Sequence, residues 1–195
     1  MRHLGTPVLQ TDRLILRPLT TNDAIPMFEN WANDPSVTRF LRWEPHKDWL
    51  ETAQLLAGWE SLYSNPDYYQ WGVCLRGTDV PFGSISIAEG EEQGPSYWHA
   101  AGLDHSAGVW EAGYCYGRAF WGKGYATEAL CAVRDFWFQQ VDGAWLACCH
   151  AMENPASGRV MEKSGWVYDH DSIYHKFDGT PVACRCYVNQ NPNLR

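Results

Sequence analysis

Apolar and polar residues alternate along this chain with two periods, one typical of strands and one typical of helices. Where apolar residues recur at every second position or form a short unbroken run, we predict a strand. Seven segments fit that description: 12–19, 70–76, 80–89, 109–116, 144–151, 166–177 and 181–189. Gly77 with Asp79, and Asp178 with Gly179, supply the turn residues of two hairpins.

Apolar residues spaced three and four apart predict helices between these strands. The predicted helices follow the first strand to about residue 33, cover 48–63 and 125–141, and end with a short one from 155 to 165. One buried side of the second helix is expected to carry Leu50, Ala53, Leu56, Ala57 and Leu62. The order of elements predicts one α/β (α+β) domain over residues 1–195, with a strand, loop, helix and strand crossover near its centre.

Gly122, Lys123 and Gly124 form a glycine-rich junction between the strand 109–116 and the helix 125–141. The first turn of a helix leaves N–H groups without an intrahelical partner, so the junction suits an anion. Glycines let a phosphate approach the backbone, and Lys123 adds a positive charge. The common P-loop and dinucleotide patterns do not fit these residues, and a purely structural turn is the alternative explanation.

The formal net charge of −8 argues against nucleic acid as a partner and favours a cationic one. The first ten residues lack the apolar run of a signal peptide, and no run of about 18 apolar residues is present to cross a membrane. We therefore expect a soluble cytoplasmic protein, a monomer or homodimer, with no membrane partner.

The seven cysteines lie mostly in predicted buried elements, where reduced core thiols are expected rather than disulfides. Cys148, Cys149 and His150, taken with Cys184 and Cys186, would suggest a metal site. Neighbours on a strand point to opposite faces, however, and the spacing lacks the paired pattern of zinc ligands. No metal is expected.

Two motifs carry a resemblance to a known family. The stretch EAGYCYGRAFWGKGYATEAL, followed further along the chain by ENPASGRVMEKSGW, resembles the GNAT family of acyl-CoA-dependent N-acetyltransferases, and within it the RimJ/RimL-type, ribosomal-protein N-acetyltransferase-like branch. DRLILRPLTTNDA, FLRWEPH and FGSISI also match, so the likeness covers about residues 10–188. It implies a mixed, mostly antiparallel sheet splayed open at a cleft for acetyl-CoA and flanked by about four helices.

The same resemblance implies where the cosubstrate binds. The backbone of Tyr114, Cys115 and Tyr116 would hold the pantetheine arm, and Asn154 and Ser157 would contact the pantetheine and its thiol end. The pyrophosphate would be held by the amides of six residues in a row: Trp121, Gly122, Lys123, Gly124, Tyr125 and Ala126.

Acetyl transfer by direct attack in a ternary complex requires a neutral amine, so a general base is expected. Glu111, on the strand before the glycine junction, is the first candidate. Glu44 and His46 are its rivals, and together with Trp43 they are the candidate acceptor-binding residues. A backbone N–H near Tyr116 would stabilise the oxyanion.

The general acid is less defined than the base. Many members of the family carry a tyrosine seven residues after the asparagine, where this chain has Met161. Ser157 is the candidate donor in its place, unless the thiolate leaves unassisted. Asn154, Ser157 and Glu111 are therefore the predicted catalytic residues.

The expected acceptor is a primary amine: a protein N-terminal α-amine, a polyamine or a small-molecule amine. A non-catalytic acyl-CoA-binding or sensing module is the main alternative, and a generic nucleotide binder is a further one. The segment 90–109 has no sustained period and is expected to be a functional loop beside the acceptor.

Overall fold

The computed structural model describes residues 1–90, 98–100 and 102–193. Eight strands form one sheet in the order β1-β2-β3-β4-β5-β6-β8-β7. Their bounds are β1 Leu9–Gln10, β2 Leu14–Arg17, β3 Tyr69–Leu75, β4 Pro81–Glu89, β5 Trp110–Tyr116, β6 Trp145–Ala151, β7 Val167–His175 and β8 Pro181–Gln190. Every neighbouring pair is antiparallel except β5 and β6. The predicted mixed, mostly antiparallel α/β fold is confirmed.

The described part of the chain contains five α-helices. They are α1 Ala24–Met27, α2 Pro35–Thr38, α3 Trp49–Leu62, α4 Tyr125–Gln139 and α5 Pro155–Lys163. A 3₁₀ turn leads into α1 and a π turn over Phe28–Ala32 extends it, so the first predicted helix is continuous but irregular. None of these helices is long and apolar enough to cross a membrane.

The predicted buried side of α3 is wrong in part. Leu50 is 53% exposed and Leu62 is 38% exposed, whereas Thr52 and Leu56 are fully buried. Leu56 packs in a cluster with Met27 and Trp31. It is the one residue of α3 that is buried in this cluster, so the contact side of the helix is narrow. Thr52 takes the place of an apolar residue because its hydroxyl is paired with a histidine ring.

The crossover at the centre of the sheet produces its opening. β5 runs parallel to β6, and α4 connects them. Only two residue pairs link the two strands, Glu111 with Ala147 and Ala112 with Cys148. β5 continues in register with β4 to Tyr116, while β6 continues with β8 to Ala151. The two halves of the sheet therefore separate beyond Ala112, as predicted.

α5 packs closely against β6 at Gly158. A Cβ atom at this position would lie 2.6 Å from Nε2 of His150, which is a buried ring. Gly58, in α3, has no atom within 4 Å of the same added carbon. Both glycines are helical, but only at Gly158 would an added Cβ atom meet a neighbouring side chain.

We expect Gly158→Ala to lower the free energy of unfolding by about 1–3 kcal/mol, because the rigid ring has to shift. Gly58→Ala should instead raise it by about 0.5–1 kcal/mol, because alanine restricts the unfolded chain without a clash. Urea titration of both variants and the wild type measures the difference. Equal stability of Gly158→Ala and the wild type would contradict the close packing.

Candidate active site

The hydrogen-bond pattern between β4 and β5 leaves backbone groups unpaired at the opening. The amide of Gly117 donates to the carbonyl of Phe82 at 2.9 Å. Backbone groups alternate in direction along an antiparallel strand, so the N–H groups of Tyr114 and Tyr116 point away from β4. They point to the side where β6 has already diverged. Two amides of β5 thus face the gap between the two halves of the sheet.

The glycine junction is fixed to the end of β5 by Trp121. Its indole N–H donates to the carbonyl of Tyr116 at 2.6 Å, although the side chain is 51% exposed. Gly122 and Gly124 have φ of 73° and 81°, a left-handed conformation that favours glycine. The side chain of Trp121 therefore holds the loop in place, while its amide is the group predicted to contact the pyrophosphate.

α4 begins without a side-chain cap. Asp48 caps α3 and Asn154 caps α5, each with a side-chain oxygen that accepts an amide of the first turn. Gly124 holds the equivalent position before α4 and has no side chain to offer. The first-turn amides of α4, including those of Tyr125 and Ala126, therefore remain available to an anion.

Arg13, which is far from this helix in the sequence, holds the start of α4 in place. Its guanidinium donates to the carbonyl of Lys123 at 3.0 Å and to Glu128 at 2.6 Å, and lies 4.7 Å from the ring centre of Tyr125. Burial would raise the pKa of Glu128, but hydrogen bonds from Thr11 and Arg13 outweigh it and lower the pKa. Sequence reasoning missed Arg13, since nothing local distinguishes it from any other exposed arginine.

Tyr114 links β5 to the start of α5. Its hydroxyl lies 2.9 Å from Oγ of Ser157, and donates to the Ser157 carbonyl at 3.1 Å. Burial raises the pKa of Tyr114 well above its ordinary value, so the phenol stays protonated. Asn154 accepts the amide of Ser157 at 3.4 Å. The side-chain oxygen of Asn154 thus acts as a helix cap.

Glu111 occupies the other face of β5. Side chains alternate along a strand, so Glu111 and Cys115 lie opposite to Tyr114 and Tyr116. The thiol of Cys149 donates to Oε1 of Glu111 at 2.7 Å. Cys115 contacts Ser84 at 3.4 Å and packs toward the α1–α3 layer, so only its backbone is available to the cleft.

The three predicted acceptor-binding residues lie in a segment that runs between α2 and α3. Glu44 is exposed and forms an ion pair with Lys176 at 3.1 Å. His46 contacts Oγ1 of Thr52 at 2.8 Å, and burial lowers the pKa of its imidazole. The ring of Trp43 lies 5.0 Å from that of His46.

The same segment is attached to the β7–β8 hairpin. Tyr174 donates its hydroxyl to the carbonyl of Phe40 at 2.7 Å, and the amide of Phe177 donates to the carbonyl of Arg42 at 2.8 Å. These bonds join the helical layer to the half of the sheet beyond the opening. They fix the segment that carries the candidate acceptor residues to the β7–β8 hairpin.

Part of the predicted loop 90–109 lies outside the described residues, namely 91–97 and 101. Trp98 lies within the described part and is buried against Trp145, 5.4 Å between ring centres. An open groove of about 560 Å³ lies between β1 and α4. It contains none of the predicted site residues.

The sequence matches one known family. Residues 13–167 match the model of the acetyltransferase (GNAT) domain. The chain belongs to the GNAT family. It is an acetyltransferase that depends on acetyl-CoA, and an acyl group passes from that thioester to its acceptor.

Two curated relatives of this GNAT protein come from Bacillus. An uncharacterised N-acetyltransferase, YoaA of Bacillus subtilis, is 27% identical over 189 residues, covering 95% of this chain and 98% of its own. A second uncharacterised N-acetyltransferase, p20 of Bacillus licheniformis, is 24% identical over 84% of this chain and 86% of its own.

Solved structures share the fold of this GNAT protein at lower identity. A GNAT acetyltransferase of Bacillus anthracis has a TM-score of 0.74 at 18% identity, covering 95% of this chain and 99% of its own. The ribosomal-protein-S5-alanine acetyltransferase of Vibrio fischeri has 0.70 at 15%, covering 97% and 99%. The microcin C7 self-immunity acetyltransferase MccE, in complex with acetyl-CoA and AMP, has 0.73 at 13%, covering 92% and 93%.

Proposed function

We propose that this GNAT acetyltransferase moves the acetyl group of acetyl-CoA to a primary amine by direct attack in a ternary complex. The observation that carries the proposal is the opening beyond Ala112, where unpaired amides of β5 and the uncapped start of α4 face one cleft. Acetyl-CoA has a long amide-bearing arm, which the β5 amides can bind, and a diphosphate, which the start of α4 can bind.

In this proposal the cosubstrate lies along the cleft with its diphosphate at the glycine junction. The amides from Trp121 to Ala126 bind the phosphate oxygens, and Lys123 and the neighbouring Arg13 supply positive charge. The pantetheine arm pairs with the backbone of β5 between Tyr114 and Tyr116, as an added strand would. Asn154 and Ser157 border the thiol end.

Glu111 is proposed as the general base, directly or through one water. It lies where β5 leaves β6, on the face opposite to Tyr114, so an amine on that face would meet a thioester held at the opening. Its rivals lie away from β5, in the segment between α2 and α3, where Glu44 pairs with Lys176 and the Nδ1 atom of His46 contacts Thr52. We assign Glu44, His46 and Trp43 to acceptor binding.

The departing thiolate is proposed to take its proton from the hydroxyl of Ser157, which accepts another from solvent in the same step, so that no alkoxide is left. Oγ of Ser157 lies 2.9 Å from the hydroxyl of Tyr114, and burial raises the pKa of that phenol, so it stays protonated near neutral pH. This arrangement supplies a hydroxyl donor although Met161 replaces the tyrosine common in the family. The amide of Tyr116 would stabilise the tetrahedral oxyanion.

The proposed acceptor is cationic before it loses its proton. A formal net charge of −8 attracts basic molecules, and an α-amine ionises at a pKa of about 8, which makes it the easier amine to activate. The name of the Vibrio fischeri protein, a ribosomal-protein-S5-alanine acetyltransferase, adds support for a protein N-terminus of the RimJ/RimL-type kind. A polyamine or small-molecule amine is the alternative. We further propose a single domain over residues 1–195, in the cytoplasm.

An amine panel tests the proposed reaction. Purified protein, acetyl-CoA and a set of N-terminal peptides, polyamines and amino sugars should give free thiol and an acetylated product in stoichiometric amounts, detected by a thiol reagent and by mass. Acetyl-CoA bound without any thiol release across the panel would favour a non-catalytic binding module. ATP stabilising the protein as strongly as acetyl-CoA would favour a nucleotide binder.

Gly124→Glu should abolish acetyl-CoA binding, because the new carboxylate would face the diphosphate across the uncapped amides. Gly124→Gln is the matched control, since both variants carry the same strain at a φ of 81° and differ only in charge. We expect the dissociation constant for acetyl-CoA, measured by calorimetry, to rise far more in the Glu variant. Equal affinities would argue against a diphosphate at this junction.

Glu111→Gln should lower kcat/KM for an α-amine acceptor by about 10²-fold or more at neutral pH, since the amide cannot accept the proton. The loss should shrink as the pH passes about 8, where the amine deprotonates without help. A pH–rate profile of the variant and the wild type measures this recovery. A loss that is the same at every pH would assign Glu111 a structural role.

A further inference from the structure

Three thiols converge beside the proposed base. The sulfur atoms of Cys149, Cys184 and Cys186 all lie within 4.8 Å of one another. Cys184 and Cys186 have no exposed surface, and Cys149 is partly buried. The three belong to neighbouring strands of a rigid sheet, so their spacing does not depend on a loop.

Strand register explains why the sequence pattern concealed this group. Cys149 of β6 lies directly opposite Cys186 of β8, and Cys184 is two residues from Cys186 on the same face. Cys148 points to the other face and packs in the core between the sheet and α4. His150 also points away, toward Gly158 of α5. The argument that strand neighbours diverge is therefore correct for Cys148 and His150, but it leaves the alternating three together.

The three cysteines could simply fill an apolar core, as small residues do, but two features are not explained by packing. Alanine or valine would fill the same volume without placing three sulfurs at one point. The thiol of Cys149 also reaches outside the apolar cluster and donates to the carboxylate of Glu111 at 2.7 Å. The group thus combines three soft donors with one adjacent oxygen.

We propose that Cys149, Cys184 and Cys186 form a binding site for a thiophilic d¹⁰ metal ion, with Zn²⁺ as the physiological candidate. Zinc binds thiolate at about 2.3 Å, so sulfurs at three corners of a tetrahedron lie about 3.8 Å apart. The observed sulfurs need to approach by at most about 1 Å, which side-chain rotation supplies. Each coordinated thiol releases one proton to solvent, and no electron is transferred.

Metal binding at this site would switch off acetyl transfer, a consequence that rests on the proposed role of Glu111. Coordination removes the proton through which Cys149 contacts the carboxylate. Glu111 then lies within reach as the fourth, oxygen ligand, which would make it unable to accept a proton from the amine. The ion would therefore act as an inhibitor at the face where the acceptor enters.

Titration of the fully reduced wild-type protein tests binding without any activity assay. Cd²⁺ is the spectroscopic probe, because its thiolate complexes absorb in the ultraviolet, and Zn²⁺ competes for the same site. We expect one equivalent per chain and thiolate-to-metal absorption. Cys184→Ser and Cys186→Ser should each weaken binding by more than about 10²-fold. Cys131→Ser, which changes a half-buried thiol of α4 outside the group, should bind as the wild type does.

The same variants separate the two parts of the proposal. Zn²⁺ should inhibit thiol release in the wild type and in Cys131→Ser, and should inhibit Cys186→Ser only at concentrations higher by about the same factor. Thermal melting verifies that each variant is folded. A wild-type protein that takes up no Cd²⁺ overturns the metal site even if every variant fails to fold. Uptake without inhibition retains the site but overturns its coupling to Glu111.

Discussion

The separation of β5 from β6 is the constraint on which the rest of this protein depends. A strand in the middle of a sheet normally has both edges satisfied, and an unpaired buried amide costs free energy. Here β5 keeps its pairing with β4 to the end but loses β6 after Ala112. The resulting donors are open to a partner, and the amide-bearing arm of coenzyme A is the partner proposed for them.

The glycine junction depends on this opening, because α4 has to begin immediately beyond it. Trp121 fixes the junction to the carbonyl of Tyr116, and Arg13, immediately before β2, fixes the first turn of α4 to that end of the strand. With both attachments made by side chains outside the helix, Gly124 is free to omit a cap. The start of α4 is thus held in place, and no side chain in the described part of the chain caps its first-turn amides.

β5 also separates the chemistry into two faces. Tyr114 reaches Ser157 on one side, where the thiol end of the cosubstrate is proposed to lie. Glu111 reaches Cys149 on the other, next to the three-thiol group. Proton donation and proton removal are therefore proposed for opposite sides of one strand, which alternation of side chains provides without any special backbone geometry.

The sequence by itself determined seven of the eight described strands, four of the five described α-helices, the glycine junction and the family, because each of these depends on residues that are close together along the chain. It did not indicate the two-residue β1 or the four-residue α2. It could not determine which side of α3 is buried, since that depends on which residues of α3 contact the cluster around Met27 and Trp31. Arg13 and Glu128, 115 residues apart, meet only in the folded chain. The thiol group likewise depends on the register of β6 against β8. Periodicity and motifs encode local geometry, whereas contacts between distant segments arise from register and packing, which only the tertiary structure decides.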